Sequence, residues 1–537
     1  MQPRASQLVT FFQDLRESVG LGWRAQLAVF AVALLAFLAR RPDALLHARF
    51  YGEDGTIWYS DAYNLGWLRA LLIPHTGYFQ TLPRLAAALS LLVPLRFAPL
   101  VTNAVGLVIQ VLPVTFLLSP RSRNWGPLSL RALFALAYVL LPNSYELDAT
   151  ITEGQWHLAL LACLVVLSSP AATIGWQVFD IAVLLLNGLT GPFCLVLFAV
   201  AILFAVLRRS AWRWVQAGVI AIGVAVESFA LLRTAVETRS PTMLGATPKL
   251  FLVLLSGRVY LAMLAGNLSL QAQQHLSVLI IAFLPCTLLL AYCLWKGSLE
   301  LRLFLLFTGA LFAASLRNPM VSVTTPQWQV LATLPGARYW FLPTLALMWA
   351  AIWCWRAAGS SGMRMLAGCM LVVSCIGVTE DWTYPPYANV GFVRGAQAFS
   401  AATPGTLITI PIDPPGWSMQ LRKQVPNCPA MPMGFIDSPA PNARLSDPVR
   451  ISGWTSASAV PIESVSILID NRLAAATKPS IVRPDVNAAH PELPDRNKGW
   501  EASVGTSQLS AGPHEIEVWA QERSGCKAEI GVVRVER

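Results

Sequence analysis

Residues 366–392 read LAGCMLVVSCIGVTEDWTYPPYANVGF, and the change of character within them divides the chain. Apolar runs long enough to cross a bilayer, about 17 to 25 residues each, recur from Leu27 to Val378, and the chain is polar afterwards. Of the 537 residues, 55% are hydrophobic and 13% charged, whereas soluble domains carry roughly 25% charged residues. With a mean hydropathy of +0.54, a soluble core cannot absorb the excess. The expected fold is a polytopic α-helical membrane protein of about 11 to 13 transmembrane helices, followed by a periplasmic all-β sandwich. Its divisions are residues 1–23, 24–379, 380–433 and 434–537: a cytoplasmic amphipathic lead-in, a membrane domain, a periplasmic connector and the β domain.

Working outward from that boundary, the net charge of +10 lies in small clusters between apolar runs. No continuous basic stripe faces a nucleic acid, and topology explains the clusters better. Arg121, Arg123 and Arg131 fall together, as do Arg208, Arg209 and Arg213, then Lys296 and Arg302, then Arg356 and Arg364. These mark cytoplasmic loops. Between them lie Glu53, Asp54 and Asp61, then Glu146, Asp148 and Glu153, then the stretches around Glu237 and Arg317, all read as periplasmic. Arg40 and Arg41 break the rule just after the first span. Eleven or so runs are firm spans by length, with 83–94 and 250–265 as ambiguous extras, and an odd total places the C-terminus outside. Pro113, Pro285 and Pro343 fall inside spans, where neighbouring helices satisfy the freed carbonyls. Met1 to Trp23 mixes Asp14, Arg16 and Glu17 with apolar residues, the pattern of an interfacial helix without a cleavable signal.

Seven of the nine cysteines, from Cys163 to Cys375, fall mostly within apolar runs and read as small buried hydrophobes. Cys428 and Cys526 stand in the polar part, where an outer compartment permits oxidation; the sequence leaves the pair open, bonded or free. From about Gly434 apolar and polar residues alternate, as in VRISGW, VSILIDN and HEIEVWA, with turn formers at Asp470-Asn471 and Ser510-Ala511-Gly512. That is the pattern of an antiparallel sandwich. Through GFIDSPAPNARLSDPVRISGW, the RPDV at 483–486, GWEASV and LSAGPHEIEVWA, this stretch resembles a bacterial immunoglobulin-like domain. The resemblance implies a spacer or docking module with Trp454 and Trp519 in its core.

Chemistry is sought first in ARFYGEDGTIWYSDAYNLGWLRALLIPHTGYFQTLPRL, residues 48–85, which is too polar to cross. Glu53 and Asp54 stand side by side there, followed by Trp58, Tyr59, Tyr63 and Trp67 at the depth of an aromatic belt. A second outer stretch, PNSYELDATITEGQWHLALL, gathers Glu146, Asp148, Glu153, Gln155 and His157, acceptors suited to sugar hydroxyls. GxxxxGKS/T, HExxH, GxSxG and paired CxxC motifs are missing from the sequence, so P-loop, zincin, serine-hydrolase and zinc chemistry have no support.

With Glu53 and Asp54 in the first outer loop, Gly77-Tyr78 and Pro83-Arg84 closing it, and Gly336-Ala337-Arg338-Tyr339 opening a late span, about 380 residues resemble the GT-C class of membrane glycosyltransferases. The resemblance implies a sugar carried on a polyprenyl phosphate and an acceptor hydroxyl on a glycan, lipid or protein. It makes Asp54 the general base, with Glu53 second, a role that contributes about 10² to 10⁴ in rate. Arg338, with Tyr339, then meets the donor phosphate, for which a planar guanidinium suits. Arg258 is a further candidate because charge inside an apolar run is costly; Arg317 and Arg84 rank below it. Tyr78, Arg84, Glu153, Gln155 and His157 are the expected acceptor contacts. No cofactor is expected, and a Mg²⁺ on Glu53 and Asp54 is conceivable but unsupported. Two other functions compete. A lipid-linked glycan transporter or flippase would need charges at depth, for which Asp180, Glu227 and Arg258 are the candidates. A non-catalytic assembly subunit would need none of the acids.

Overall fold

A computed structural model describes residues 20–234, 242–334, 338–425, 428, 431–457, 460–490, 493 and 495–537. The lead-in at 1–19, Glu237 and Gly336-Ala337 lie outside the described residues. The chain forms two compact units, one of residues 1–50, 68–93 and 97–387, the other of residues 51–67, 94–96 and 388–537.

In the first unit, helices long and apolar enough to cross a membrane are Trp23–Arg40, Leu95–Leu118, Ala211–Arg233, Pro248–Ala272, Leu276–Lys296, Leu299–Arg317 and Ser361–Glu380, seven among the described residues. Four shorter apolar helices accompany them: Leu128–Val139, Gly154–Val166, Ile174–Gly188 and Phe193–Arg208. Gly154–Val166 is buried along its whole length, which is why its apolar residues show no polar face. Arg338–Ala357 is mostly buried between Tyr339 and Cys354, with Phe134, Phe304 and Trp125 packed about Trp349. Pro113, Pro285 and Pro343 all sit inside helices. Of the two ambiguous stretches, 83–94 yields only the ten-residue helix Thr81–Ser90. The other, 250–265, lies in Pro248–Ala272, which carries a π-helical turn over Val253–Leu261 and breaks at Gly266, φ 56°. Gly266 lies against Asp381 and Gly377, and a Cβ on either glycine would stand within 2.7 Å of its neighbour.

The basic clusters cap helix ends at one pole of this unit. Arg131 donates to the carbonyls of Leu117, Ser119 and Gly126, Arg302 to Gly297, Arg364 to Ala358 and Arg213 to Val166. Helix C-termini leave such carbonyls without intrahelical partners, and cations favour that end of the dipole. Arg121 grips Asp180 with both terminal nitrogens, at 3.1 and 2.9 Å, while Trp212 and Gln216 donate to the same carboxylate. Asp180 is therefore a fully engaged structural node.

The second unit holds a hairpin, β1 (Leu407–Ile412) and β2 (Trp417–Arg422), preceded by the helix Phe392–Ala401. The connector thus carries regular structure that its prolines concealed. Beyond it lie β3 (Met433–Ser438), β4 (Val449–Ser456), β5 (Ile462–Ile469), β6 (Arg472–Thr477), β7 (Ile481–Val482), β8 (Asn497–Val504), β9 (Pro513–Glu522) and β10 (Lys527–Glu536). They form two antiparallel sheets, ordered β10-β9-β5-β6 and β3-β4-β8-β7. Ile451 and Trp500 from one sheet and Ile467, Ile516, Val518 and Ile530 from the other share one core, so the unit is a sandwich. Side chains alternate across a strand. Ile516, Val518 and Ala520 point inward, so Trp519 points out, against Glu517 and Lys527. Likewise Trp454 faces outward and meets His490 at 5.2 Å. The expectation that Trp454 and Trp519 fill the core is corrected: Trp500, 1% exposed, does so. Asp470 and Asn471, both at positive φ, make the two-residue turn between β5 and β6. A disulfide joins Cys428 to Cys526 across 98 residues of sequence.

Candidate functional site

The loop between helices Leu128–Val139 and Gly154–Val166 organises the polar end of the helical unit. Two of its non-glycine residues, Asn143 and Ala149, adopt left-handed backbone, φ 55° and 58°. Such conformations persist where surrounding bonds over-determine them. Here Asn143 N–H donates to Asp381 Oδ2 at 2.7 Å, and Gln110 Oε1 accepts from Ala149 N–H at 3.2 Å while its amide donates to Asp148 Oδ1 at 2.9 Å. The turn is held at both ends by side chains from other elements.

Two clusters hang from this loop. The first is anionic. Arg338 Nη1 donates to Glu146 Oε1 and to Glu153 Oε1, both at 2.9 Å, and its backbone N–H donates to Glu146 Oε2 at 2.7 Å. Because Arg338 opens its helix, Glu146 also caps the positive end of that dipole. The ion pairs are partly open: Arg338 and Glu146 are each 24% exposed and Glu153 6%. Tyr78 lies beside Arg338, Tyr339 and Glu153, and burial raises its hydroxyl pKa. The Tyr339 ring packs 6.2 Å from Trp156, and Gln155 accepts from Gln80 at 3.4 Å.

The second cluster is cationic. Arg40 spends its donors on the carbonyls of Val139, Leu141, Asp381 and Trp382, over the rings of Trp382 and Tyr384. Arg41 donates to the Asp148 carbonyl and faces Tyr384 and Tyr387. Arg258 donates to Asn143 Oδ1 at 3.2 Å and Ser269 Oγ at 3.3 Å, and pairs with no carboxylate among the described residues. Burial raises the Asp148 carboxyl, with Arg41 and Arg40 opposing, and raises Asp381, with the Asn267 and Asn143 N–H groups opposing. The departure of Arg40 and Arg41 from the charge rule is thereby explained, since both are structural bolts for this loop.

Of the residues singled out by sequence, Tyr78, Glu153, Gln155, Arg338 and Tyr339 come together. Arg258 joins the cationic cluster. His157 turns elsewhere, to the Tyr138 hydroxyl at 2.8 Å and the Leu147 carbonyl at 3.1 Å. Arg84 is buried on the short helix Thr81–Ser90. Glu53 and Asp54 belong to the other unit, where Tyr51 bridges Asp413 and Gly52 N–H donates to the Asp413 carbonyl at 2.7 Å. Asp54 opens a π-helical turn and is 0% exposed. Asn64 continues the attachment, donating to the Gln420 carbonyl and accepting from Arg422 N–H. Glu146 was noted in sequence only as one acid among several; its pairing with Arg338 spans 192 positions and leaves no local signal. No group of three or more metal-ligating side chains occurs among the described residues. A scan against protein-family models gives no match, and a search of curated proteins gives none.

Proposed function

We propose that the chain is a GT-C-like membrane glycosyltransferase of the bacterial inner membrane, moving a sugar from a polyprenyl phosphate to a periplasmic glycan, lipid or protein. The observation that carries this reading is the gathering of Glu146 and Glu153 on Arg338 at a partly open end of an apolar helical unit. A carboxylate so placed accepts the proton of an attacking hydroxyl, and the guanidinium orients it and balances its charge. Glu153, the more enclosed acid, is the proposed base. Asp54, which belongs to the other unit, is proposed as a structural acid there. Arg258, which makes no carboxylate ion pair among the described residues, is the proposed partner of the donor phosphate. Basic residues at the capped pole favour a cytoplasmic placement for it, with the N-terminus inside. The sandwich then stands in the periplasm as an immunoglobulin-like module.

Mass profiling of surface glycans tests the function. Cells lacking the chain are expected to lose the mass of one sugar from one glycan class and regain it on complementation. An unchanged glycan profile contradicts transfer. Accumulation of a complete but untransported lipid-linked glycan supports the transporter reading instead.

A further inference from the structure

We infer that Gln80, Trp156, Asn187 and Glu227 line a buried polar hollow that receives the hydroxyl groups of a sugar. The inference rests on the proposed transferase reading for the sugar's carrier, and on four orphaned atoms for the site itself. Gln80 Oε1, Trp156 Nε1, Asn187 Nδ2 and Glu227 Oε1 have no hydrogen-bonding partner among the described residues. All four side chains are at least nine-tenths buried. Buried polar groups are almost always satisfied, so each orphan calls for an explanation.

The chain segments that carry the four are neighbours. Phe79 N–H donates to Glu227 Oε2 at 3.1 Å, the Phe79 carbonyl accepts from Gly191 at 2.9 Å, Gln80 donates to Gln155, and Thr81 N–H donates to the Leu189 carbonyl at 3.0 Å. Residues 79–81 are therefore strung between the helix of Glu227, the turn after Ile174–Gly188 and the first turn of Gly154–Val166. Asn187 precedes Gly188, which packs so closely on Gly223 that a Cβ at Gly223 would stand 2.6 Å from it. Glu227 lies one helical turn beyond Gly223.

Two orphaned acceptors and two orphaned donors beside an indole ring match a polyhydroxylated ring, whose hydroxyls both give and take hydrogen bonds. A phosphate offers no donor to carboxylate and amide oxygens, and an alkyl chain offers neither. The same chain segments lead straight to the anionic cluster: Tyr78 adjoins Phe79, and Gln155 and Trp156 follow Glu153. A sugar seated in the hollow would present its bonds to that cluster.

The test uses the purified full chain in detergent. Thermal stabilisation is titrated with undecaprenyl phosphate, with undecaprenyl phosphate carrying glucose, galactose, mannose or arabinose, and with the four free methyl glycosides. At least one sugar is expected to bind tenfold or more tightly than bare undecaprenyl phosphate. Trp156→Phe, which keeps the ring contacts, and Asn187→Leu should each cut that advantage about two- to tenfold and leave the response to bare undecaprenyl phosphate intact. If neither sugar-lipids nor glycosides exceed the bare lipid, or if Trp156→Phe keeps the full advantage, the hollow is structural and the inference is overturned. A methyl glycoside response lost in Trp156→Phe, without any response to the lipids, upholds the sugar site and removes the polyprenyl donor.

Discussion

Two acidic loops of similar composition meet different fates in this protein. The stretch 51–67 carries Glu53, Asp54 and Asp61 and folds as helical turns in the β-rich unit, pinned to the hairpin through Asp413, Gln420 and Arg422. The stretch 140–153 carries Glu146, Asp148 and Glu153 and places two of its acids on one partly exposed arginine. Acid density in a loop does not by itself gather its carboxylates. What separates the loops is a distant cation that gathers two carboxylates, Glu146 partly exposed and Glu153 buried, in one, and the full enclosure of Asp54 in the other.

The comparison breaks first at activity. Glu153→Gln is expected to lower transfer by about 10² to 10⁴, the usual contribution of a positioned base, while Asp54→Asn at matched membrane levels keeps most of the activity. Single-turnover transfer from labelled donor measures both. Stability gives the next contrast. Replacing both Cys428 and Cys526 with serine should cost up to about 5 kcal/mol, as expected for a cross-link closing roughly 100 residues. The loss should appear in the sandwich and spare the helical unit, which limited proteolysis resolves.

Within the sandwich, Trp500→Ala should cost about 3 to 5 kcal/mol, as for large-to-small changes in a core, and Trp519→Ala much less because its ring faces outward. Thermal unfolding of the two variants decides whether the inward face was correctly assigned. The smallest effect is electrostatic. Burial lifts the Glu529 carboxyl from 4.5 to about 7, opposed by the Leu407 N–H it accepts. The native state then holds the proton more tightly than the unfolded chain. Stability from this group is complete below about pH 4.5 and declines as pH rises through about 7. Glu529→Gln should flatten that slope in a pH series of unfolding midpoints.

Much of this architecture was legible beforehand. Apolar runs announced a helical unit, although seven of its described helices rather than about eleven are long enough to span. Strand alternation announced the sheets, and Cys428 and Cys526, left open by the sequence, are bonded. Other features were not legible because they depend on register or on distance in sequence. Trp454, Trp500 and Trp519 look alike until strand parity is known. The β1–β2 hairpin hides behind Pro411, Pro414 and Pro415. Among the candidate residues, Arg338 and Glu153 each stood out, yet nothing local joined them, and the enclosure of Asp54 left no local signal either.

The most direct measurement is donor hydrolysis or transfer by purified wild type, Glu153→Gln and Asp54→Asn, each reconstituted at equal protein and checked for folding by thermal unfolding. Glu153→Gln is expected to fold but lose turnover, with Asp54→Asn turning over at close to the wild-type rate whenever it folds. Full turnover in Glu153→Gln, beside a folded and inactive Asp54→Asn, would contradict the assignment and return the chemistry to the first loop.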